Sequence, residues 1–328
     1  MLAGHRSAPS GTKVKSSARK FRVLVWLAVL SPATTFGGEA LTTNQPADTL
    51  SFVDLDTMKA TAEIKIGGKP AGITLSPDKS IAYIAAPDGK EVIEVDATKK
   101  VVMRRLNVGG GPLGIAAHPA KPEIYVADWY FHKIYVVDAV AFKVAAEIPV
   151  GQSPSGLAVT PDGNLLLSTD RDSDQVSIID LATRAVVATV PVGQKPFGVT
   201  ISADGKAAYT ANVASDDVTV IDIAARKATT TIKSGHRPYA VALALGKGFV
   251  TGQYSGTVDV FDAGTMQPVK VIEACDHPEG IEADGLEAFV YVACWGDNIV
   301  LKIDAQSLAI VAKATVGDGP RAFGKFLR

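Results

Sequence analysis

Two cysteines and two histidines stand near one another in the second half of this 328-residue chain, and their side chains are well suited to chemistry. They are Cys275, Cys294, His277 and His236, the last followed by Arg237. Thiolate and imidazole groups bind copper or zinc, so these four residues could form a metal site. Their spacing matches no metal-ligand motif. The simpler interpretation is a disulfide between the only two cysteines.

Other candidate contact residues follow strand-like runs. Asp128-Trp129 and Cys294-Trp295 place a tryptophan where it could stack on a ligand, anchor a protein partner or plug a channel. Arg171 lies in the loop 170–174, whose three aspartates suggest either a calcium site or a solvated loop with internal ion pairs. The solvated loop is the simpler interpretation.

Several catalytic motifs do not occur in the sequence. It has no Gly-x-Ser-x-Gly elbow, no His-Glu-x-x-His, no haem-type Cys-x-x-Cys-His and no phosphate loop. No pair of nucleophile and base can therefore be assigned, and we expect no cofactor. A histidine acting as a general base, His236 or His277, stays open as an alternative.

A repeat positions these residues. A proline recurs every 42 residues, except for one interval of 40, and an aspartate keeps the same period. The prolines are Pro70, Pro112, Pro154, Pro196, Pro238, Pro278 and Pro320, and the aspartates are Asp54, Asp96, Asp138, Asp180, Asp222, Asp262 and Asp304. A period in the low forties is typical of a β-propeller. The sequence therefore predicts an all-β, seven-bladed propeller.

Residues 154–193 show the predicted blade. Short alternating runs at 154–160, 165–169, 175–180 and 184–192 are separated by Pro-Asp-Gly-Asn and other turn residues. Each repeat is thus expected to form four antiparallel strands. The chain stops after one strand of the last repeat, and residues 41–66 supply only three. The seventh blade should therefore close as a latch, with its innermost strand taken from 320–327.

The repeats differ from one another at the positions that we expect on one rim of the propeller. The loop before the first strand and the loop after the second should lie on one rim, around the mouth of the central channel. The departures concentrate in the fifth and sixth repeats. The residues predicted to contact a ligand or partner there are His236, Arg237, His277, Tyr239, Asp128, Trp129, Trp295 and Arg171.

Three further predictions follow from the same alignment of repeats. If residue 294 lies opposite about 277, Cys275 is one pleat away and within reach of a disulfide. Glu279 and Arg321 occupy one position in neighbouring blades and should form an ion pair. His118 should lie on the opposite rim, away from the site.

The first 40 residues differ in kind from the rest. A basic stretch is followed by the apolar run 23–36, which is too short for a comfortable membrane span and is typical of a signal peptide. An uncleaved anchor remains the alternative. Without residues 1–40, 27 bases would face 33 acids, a net charge of −6. This argues against a nucleic-acid partner. We expect residues 41–328 to form one periplasmic or secreted domain with no stable membrane span.

The glycine–proline entry, the Pro-Asp-Gly turn and the strand Tyr209-Thr210-Ala211-Asn212 resemble the YVTN-repeat β-propeller family over residues 41–327. The chain is also distantly similar to amine-dehydrogenase and lactonase propellers. The resemblance implies an exported propeller that binds or scaffolds a protein or small-molecule ligand. Two alternatives are an accessory component of a periplasmic quinoprotein or amine dehydrogenase system, with a redox partner, and a lactonase-like or lyase-like enzyme.

Overall fold

Seven β-sheets form the blades of a propeller in the computed structural model, which describes residues 38–328. The predicted leader at 1–40 lies outside the described residues, except that its last residues contribute to β1. Blade 1 is β4 (Gly72–Leu75), β5 (Ile81–Ala86), β6 (Glu91–Asp96) and β7 (Val101–Asn107); blade 2 is β8 (Pro112–Ala117), β9 (Glu123–Asp128), β10 (Lys133–Asp138) and β11 (Lys143–Pro149); blade 3 is β12 (Pro154–Val159), β13 (Leu165–Asp170), β14 (Gln175–Asp180) and β15 (Ala185–Pro191).

The remaining blades repeat this order, and all four-stranded sheets are antiparallel meanders. Blade 4 is β16 (Pro196–Ile201), β17 (Ala207–Asn212), β18 (Asp217–Asp222) and β19 (Lys227–Lys233); blade 5 is β20 (Pro238–Ala244), β21 (Lys247–Gly252), β22 (Thr257–Asp262) and β23 (Pro268–Glu273); blade 6 is β24 (Pro278–Ala283), β25 (Phe289–Cys294), β26 (Ile299–Asp304) and β27 (Ala309–Thr315). A short 3₁₀ helix, Arg171–Ser173, follows β13.

The chain ends close the ring, as the sequence predicts. Blade 7 has three strands, β1 (Glu39–Asn44), β2 (Thr49–Asp54) and β3 (Lys59–Lys65). The C-terminal segment pairs antiparallel with β1 through Ala40–Leu327 and Asn44–Pro320. Its short strand β28 (Phe323–Gly324) also pairs with β4 in parallel. The latch is therefore confirmed, and the last segment bridges blades 7 and 1.

Burial explains the sequence pattern of each strand. The second strand of a blade is covered on both faces, and β9 is buried at five of its six positions. This is why Tyr-Val-Ala runs occur there. In the outermost strand of a blade, for example β7, exposed and partly buried residues alternate.

The propeller begins slightly earlier than the sequence predicts. The first strand begins at Glu39, two residues before the domain boundary expected from the sequence. The Glu39 carboxylate pairs with Lys100 Nζ at 2.8 Å and with Arg328 Nε at 3.3 Å, so this residue helps to fasten the latch. No helix within residues 38–328 is long and apolar enough to cross a membrane.

Candidate functional site

The loops that the sequence places on one rim do meet there. The residue after the second strand donates its N–H to the carbonyl of the residue before the key proline. Trp129 bonds to Gly111 at 3.0 Å, and Trp295 bonds to His277 at 2.9 Å. Arg237 and His277 hold φ near +56° and +53° at this position. That backbone conformation is uncommon for residues with a Cβ, and Lys69, Ser153 and Lys195 share it at the equivalent positions of other blades.

The channel mouth on this rim is closed by a hydrophobic plug. The residues that follow the key prolines point toward the axis, and several are large and apolar. The plug consists of Ala71, Leu113, Phe197, Val213, Tyr239 and Phe323, with Trp129 and Ala240 packed against it. The ring centroids of Phe197 and Tyr239 are 4.5 Å apart. Because it is buried, Tyr239 is not positioned to touch a ligand, and burial raises its pKa.

A polar cluster completes the closed mouth on the side of blades 5 to 7. Arg321 Nε donates to Glu279 Oε2 at 2.7 Å, which confirms the predicted ion pair. Gln253 Nε2 donates to the other Glu279 oxygen at 2.6 Å, and Arg321 Nη1 donates to Gln45 Oε1 at 3.2 Å. A buried carboxylate needs such compensation, so this cluster has a structural role.

The channel opens on the opposite face instead. A cavity of about 540 Å³ is lined by the inner strands and by the turns between first and second strands, including Lys79, Pro119 and Ser202. Phe323 of the plug forms its floor. A ligand in this cavity could not reach the predicted rim residues.

An exposed aromatic row lies outside the plug, on blades 5 and 6. We define the aromatic row as His236, Tyr254, His277 and Trp295, whose consecutive ring centroids are 5.8, 5.4 and 6.0 Å apart, each pair edge to face. The Arg237 guanidinium carbon lies 4.4 Å from the centre of the Tyr254 ring. Tyr254 was not among the contact residues predicted from the sequence, although it lies two residues after a second strand.

Each histidine of the row is oriented by a carboxylate. His236 Nδ1 lies 3.1 Å from Asp216 Oδ2, and His277 Nδ1 lies 2.6 Å from Asp276 Oδ1. The contact through Nδ1 directs each Nε2 away from the carboxylate. The Asp216 pKa is lowered, first by the backbone N–H of Arg237 and then by His236. The aromatic row therefore offers π surfaces and two oriented imidazoles.

A second group of aromatic residues lies across the plug on blade 2. Tyr130 and Phe131 follow Trp129, whose ring lies 5.3 Å from the Arg171 guanidinium carbon. Asp128 itself is fully buried and accepts hydrogen bonds from the N–H groups of Tyr130 and Phe131 and from the Tyr135 hydroxyl. Asp128 therefore shapes the loop and, like Tyr239, is buried.

Exposure divides the two faces of the propeller sharply. Among the Phe, Tyr and Trp residues within 38–328, four are exposed: Tyr130 (68%), Phe131 (56%), Tyr254 (54%) and Trp295 (37%). All four lie in loops after second strands, on the same rim. Other large exposed apolar side chains, such as Val269 and Val271, are aliphatic and lie on outer strands or turns.

Cys275 and Cys294 form a disulfide, as the sequence predicts, with their Cα atoms 6.0 Å apart. Cys294 pairs with Pro278, one residue from the expected register. The bond removes both thiolates from the alternative metal site with His277. Between residues 38 and 328, no group of three His, Cys, Asp or Glu side chains is placed to hold a metal ion.

The acidic loop 170–174 is internally paired, which agrees with the simpler interpretation. Asp172 Oδ1 lies 2.8 Å from an Arg171 nitrogen and 3.0 Å from Lys195 Nζ. Asp170 is buried and accepts bonds from Ser168, Gln175, Ser177 and the Gly151 N–H. Burial nevertheless raises its pKa. His118 lies buried in the first turn of blade 2, at the opposite rim from the aromatic row.

Comparison with known proteins supports the fold. Residues 157–249 match the family model described as YNCE-like beta-propeller. A chain of Kuenenia stuttgartiensis hydrazine synthase is similar with a TM-score of 0.67 and 22% identity, over 77% of this chain and 88% of that one. A functionally unknown protein from Desulfotomaculum acetoxidans DSM 771 has a TM-score of 0.74 and 16% identity, over 87% and 99%. No curated protein matches. At these identities the two structures share the fold alone, and it is the propeller that the YVTN resemblance implies.

Proposed function

We propose that this propeller is a binding protein that presents the rim of its second-strand loops to a protein partner. The observation that carries the proposal is the placement on that rim of all four exposed Phe, Tyr and Trp residues of the described chain. Exposure of an aromatic side chain to water is unfavourable, and aromatic side chains are enriched at the centres of protein interfaces. The fold itself does not need them, because sister blades carry other residues at these positions.

The shape of the rim favours a macromolecule over a small ligand. Within residues 38–328 the plug fills this end of the axis with packed side chains, so the rim offers a surface and not an enclosed pocket. Tyr130 and Phe131 belong to blade 2, whereas Tyr254 and Trp295 belong to blades 5 and 6, on the far side of the seven-membered ring. A partner that touched both groups would have to span the plug. Trp129, Arg171, Arg237 and the two histidines of the aromatic row would lie within this contact area.

We further propose that binding takes place outside the cytoplasm. A disulfide persists in oxidising compartments, and the amino-terminal sequence is typical of an exported protein. A redox enzyme of that compartment is one candidate partner, and a chain of hydrazine synthase has the same fold. That likeness shows a shared scaffold, so the partner must be identified directly.

The proposal is tested by using the purified propeller as bait in the exported fraction of the cells that produce it. The variant Tyr254→Ala/Trp295→Ala should lose a partner that the wild type retains, by tenfold or more, on the order expected for two hot-spot residues. The variant Val269→Ala/Val271→Ala removes exposed apolar surface from the outer strand of blade 5 and should retain the partner. Equal capture by all three proteins would refute a binding site at the aromatic row.

The two aspartate–histidine pairs support a second candidate, an enzyme with a histidine as general base. An imidazole held through Nδ1 by a carboxylate is arranged to accept a proton at Nε2. A screen with lactones and esters tests it, using His236→Gln and His277→Gln as controls. Turnover that persists in both variants, or no turnover by the wild type, would exclude these histidines as bases.

A further inference from the structure

The disulfide occupies a position that the other blades fill differently. Three residues before the key proline, every other blade has glycine: Gly67, Gly109, Gly151, Gly193, Gly235 and Gly317. At the end of the second strand, four of those blades have a buried Asn or Asp: Asn44, Asp128, Asp170 and Asn212. In blade 6 these two positions are Cys275 and Cys294. Both members of one contact have therefore changed together.

The sister blades show what that contact does. In blade 4, Asn212 Nδ2 donates to Asp217 Oδ1 at 2.7 Å and to Thr219 Oγ1 at 2.9 Å. The Gly193 N–H bonds to the same Thr219 oxygen at 3.2 Å. A Cβ on Gly193 would press against the Asn212 amide. Glycine and asparagine thus form a buried polar connection between the crossing loop and the end of the second strand.

Blade 6 lacks the polar partners for such a connection. The residues equivalent to Asp217 and Thr219 are Ile299 and Leu301, as the strand registers show. Cys294 is fully buried, and it belongs to the same apolar cluster as Leu301, with Cys275 and Ile299 packed against it. In this blade the sulfur bond therefore replaces the buried hydrogen bonds. The hydrogen bonds that remain between the two loops lie near the surface. They are backbone hydrogen bonds and the bond that the Asp276 N–H donates to the Asp297 carboxylate.

The bridge joins the two segments that carry half of the aromatic row. Cys275 stands two residues before His277, and Cys294 directly precedes Trp295. We propose that this disulfide gates the rim site: the oxidised protein holds His277 and Trp295 in place for the partner, and reduction releases them. The proposal rests on the function proposed above, since it concerns the same site.

The gating reaction is thiol–disulfide exchange with a dithiol. A reductant thiolate attacks the sulfur of Cys275, a half-buried residue, and the Cys294 thiolate leaves. The second reductant thiolate then attacks the reductant sulfur of the mixed disulfide and displaces the Cys275 thiolate. The Cys275–Cys294 bond breaks, the two reductant sulfurs become joined, and two electrons and two protons pass to the cysteines. Cys275 and Cys294 end as thiols in an apolar cluster that offers little to hold the loops together.

Hydrogen exchange of the wild-type protein, oxidised and after reduction by a dithiol, tests the clamp without relying on any variant. We expect amide exchange in residues 275–278 and 294–298 to become faster on reduction, on the order of tenfold. Residues 128–132 and 170–174, which lie on the same rim but on blades 2 and 3, should not change. Unchanged exchange at 275–278 and 294–298 in the reduced protein would overturn the proposal.

A matched variant copies the connection of blade 4 into blade 6. Cys275→Gly/Cys294→Asn/Ile299→Asp/Leu301→Thr should keep the loops slow in exchange and make partner capture insensitive to the dithiol. In the wild type, reduction should lower capture. If reduction leaves wild-type capture unchanged while Tyr254→Ala/Trp295→Ala abolishes it, the gate is wrong and the binding site stands. If neither treatment alters capture, the binding site itself is wrong and the gate falls with it.

Discussion

Single buried polar residues set the shape of the rim loops. Asp128 and Asp170 are fully buried. Asp128 accepts the Phe131 N–H of the loop that follows it, and Asp170 accepts the Ser177 hydroxyl of the third strand. Asn44 and Asn212 occupy the same position in blades 7 and 4, and their side-chain amides donate to the hydroxyl groups of Ser51 and Thr219. The chemistry of this one position is therefore structural in most blades. The sequence predicted Asp128 as a contact residue, because it occupies a rim position at which the repeats differ.

His118 is the residue whose ionisation we expect to affect stability. It is buried in the first turn of blade 2, where Nδ1 accepts the N–H groups of Ala120 and Lys121. Burial lowers its pKa, the nearby Lys121 charge adds to the effect, and the Glu123 charge opposes it. The unfolded chain, with the ordinary pKa, therefore takes up the proton first. Stability should fall as the pH drops from about 7 toward 5.

The variant His118→Ser isolates this effect, because Ser76 and Ser202 occupy the same turn position in blades 1 and 4. Urea unfolding across that pH range should show a smaller loss of free energy for His118→Ser than for the wild type. The rest of the chain is identical in the two proteins, so its contribution cancels in the difference. Identical pH profiles would show that His118 does not contribute.

At the scale of strands, close approach of the inner strands fixes the ring. Two residues after the key proline, five of the seven repeats have glycine, and the other two have Ala240 and Ala322. A Cβ on Gly114 would collide with the Ser155 carbonyl oxygen of the next blade. The repeat of glycine with proline is thus a packing requirement at the axis. The large side chains that follow the prolines in blades 4 and 5 fill the remaining space as the plug.

Gly114→Ala should therefore destabilise the propeller by about 2–4 kcal/mol, since backbone must move to admit the methyl group. Gly285→Ala is the matched control, because a Cβ there would meet nothing within 4 Å. We expect the control to change stability by less than about 0.5 kcal/mol. Denaturant midpoints for the two variants measure both effects, and equal midpoints would contradict tight packing at the axis.

At the scale of the whole molecule, one C-terminal segment closes the ring. Phe326 is fully buried, and Glu282 Oε2 accepts the N–H groups of Phe326 at 2.6 Å and of Leu327 at 2.9 Å. Arg321 of the same segment bonds to Thr43 through its N–H and to Glu279 through its side chain. The segment thereby joins blades 6, 7 and 1, and its loss would expose both the β1 edge and the plug.

Deletion of residues 320–328 should strongly destabilise the fold. Burial of Phe323, Phe326 and Leu327 alone contributes about 6 kcal/mol, at about 2 kcal/mol for each side chain. Thermal unfolding of the truncated protein measures the effect. Lys325→Ala, which removes a mostly exposed side chain from the same segment, should leave the melting temperature nearly unchanged. A truncated protein that melts with the full chain would contradict closure by the latch.

Much of the architecture could be predicted because it depends on local pattern and repetition. The proline and aspartate periods gave the blade count, and the chain ends gave the latch. The pairing of Cys275 with Cys294 and of Glu279 with Arg321 followed from aligning repeats, since equivalent positions in a ring lie at equivalent heights. Register within a blade was predicted to within one residue.

The state of the channel mouth was decided only by the tertiary structure. Phe197, Tyr239 and Phe323 come from blades 4 and 5 and from the latch, and they meet because the ring brings seven inner strands to one axis. The aromatic row arises in the same way from loops of two neighbouring blades. A linear sequence specifies which side chains each repeat contributes. Whether they fill the axis or face solvent depends on packing between repeats, and packing is a property of the closed ring.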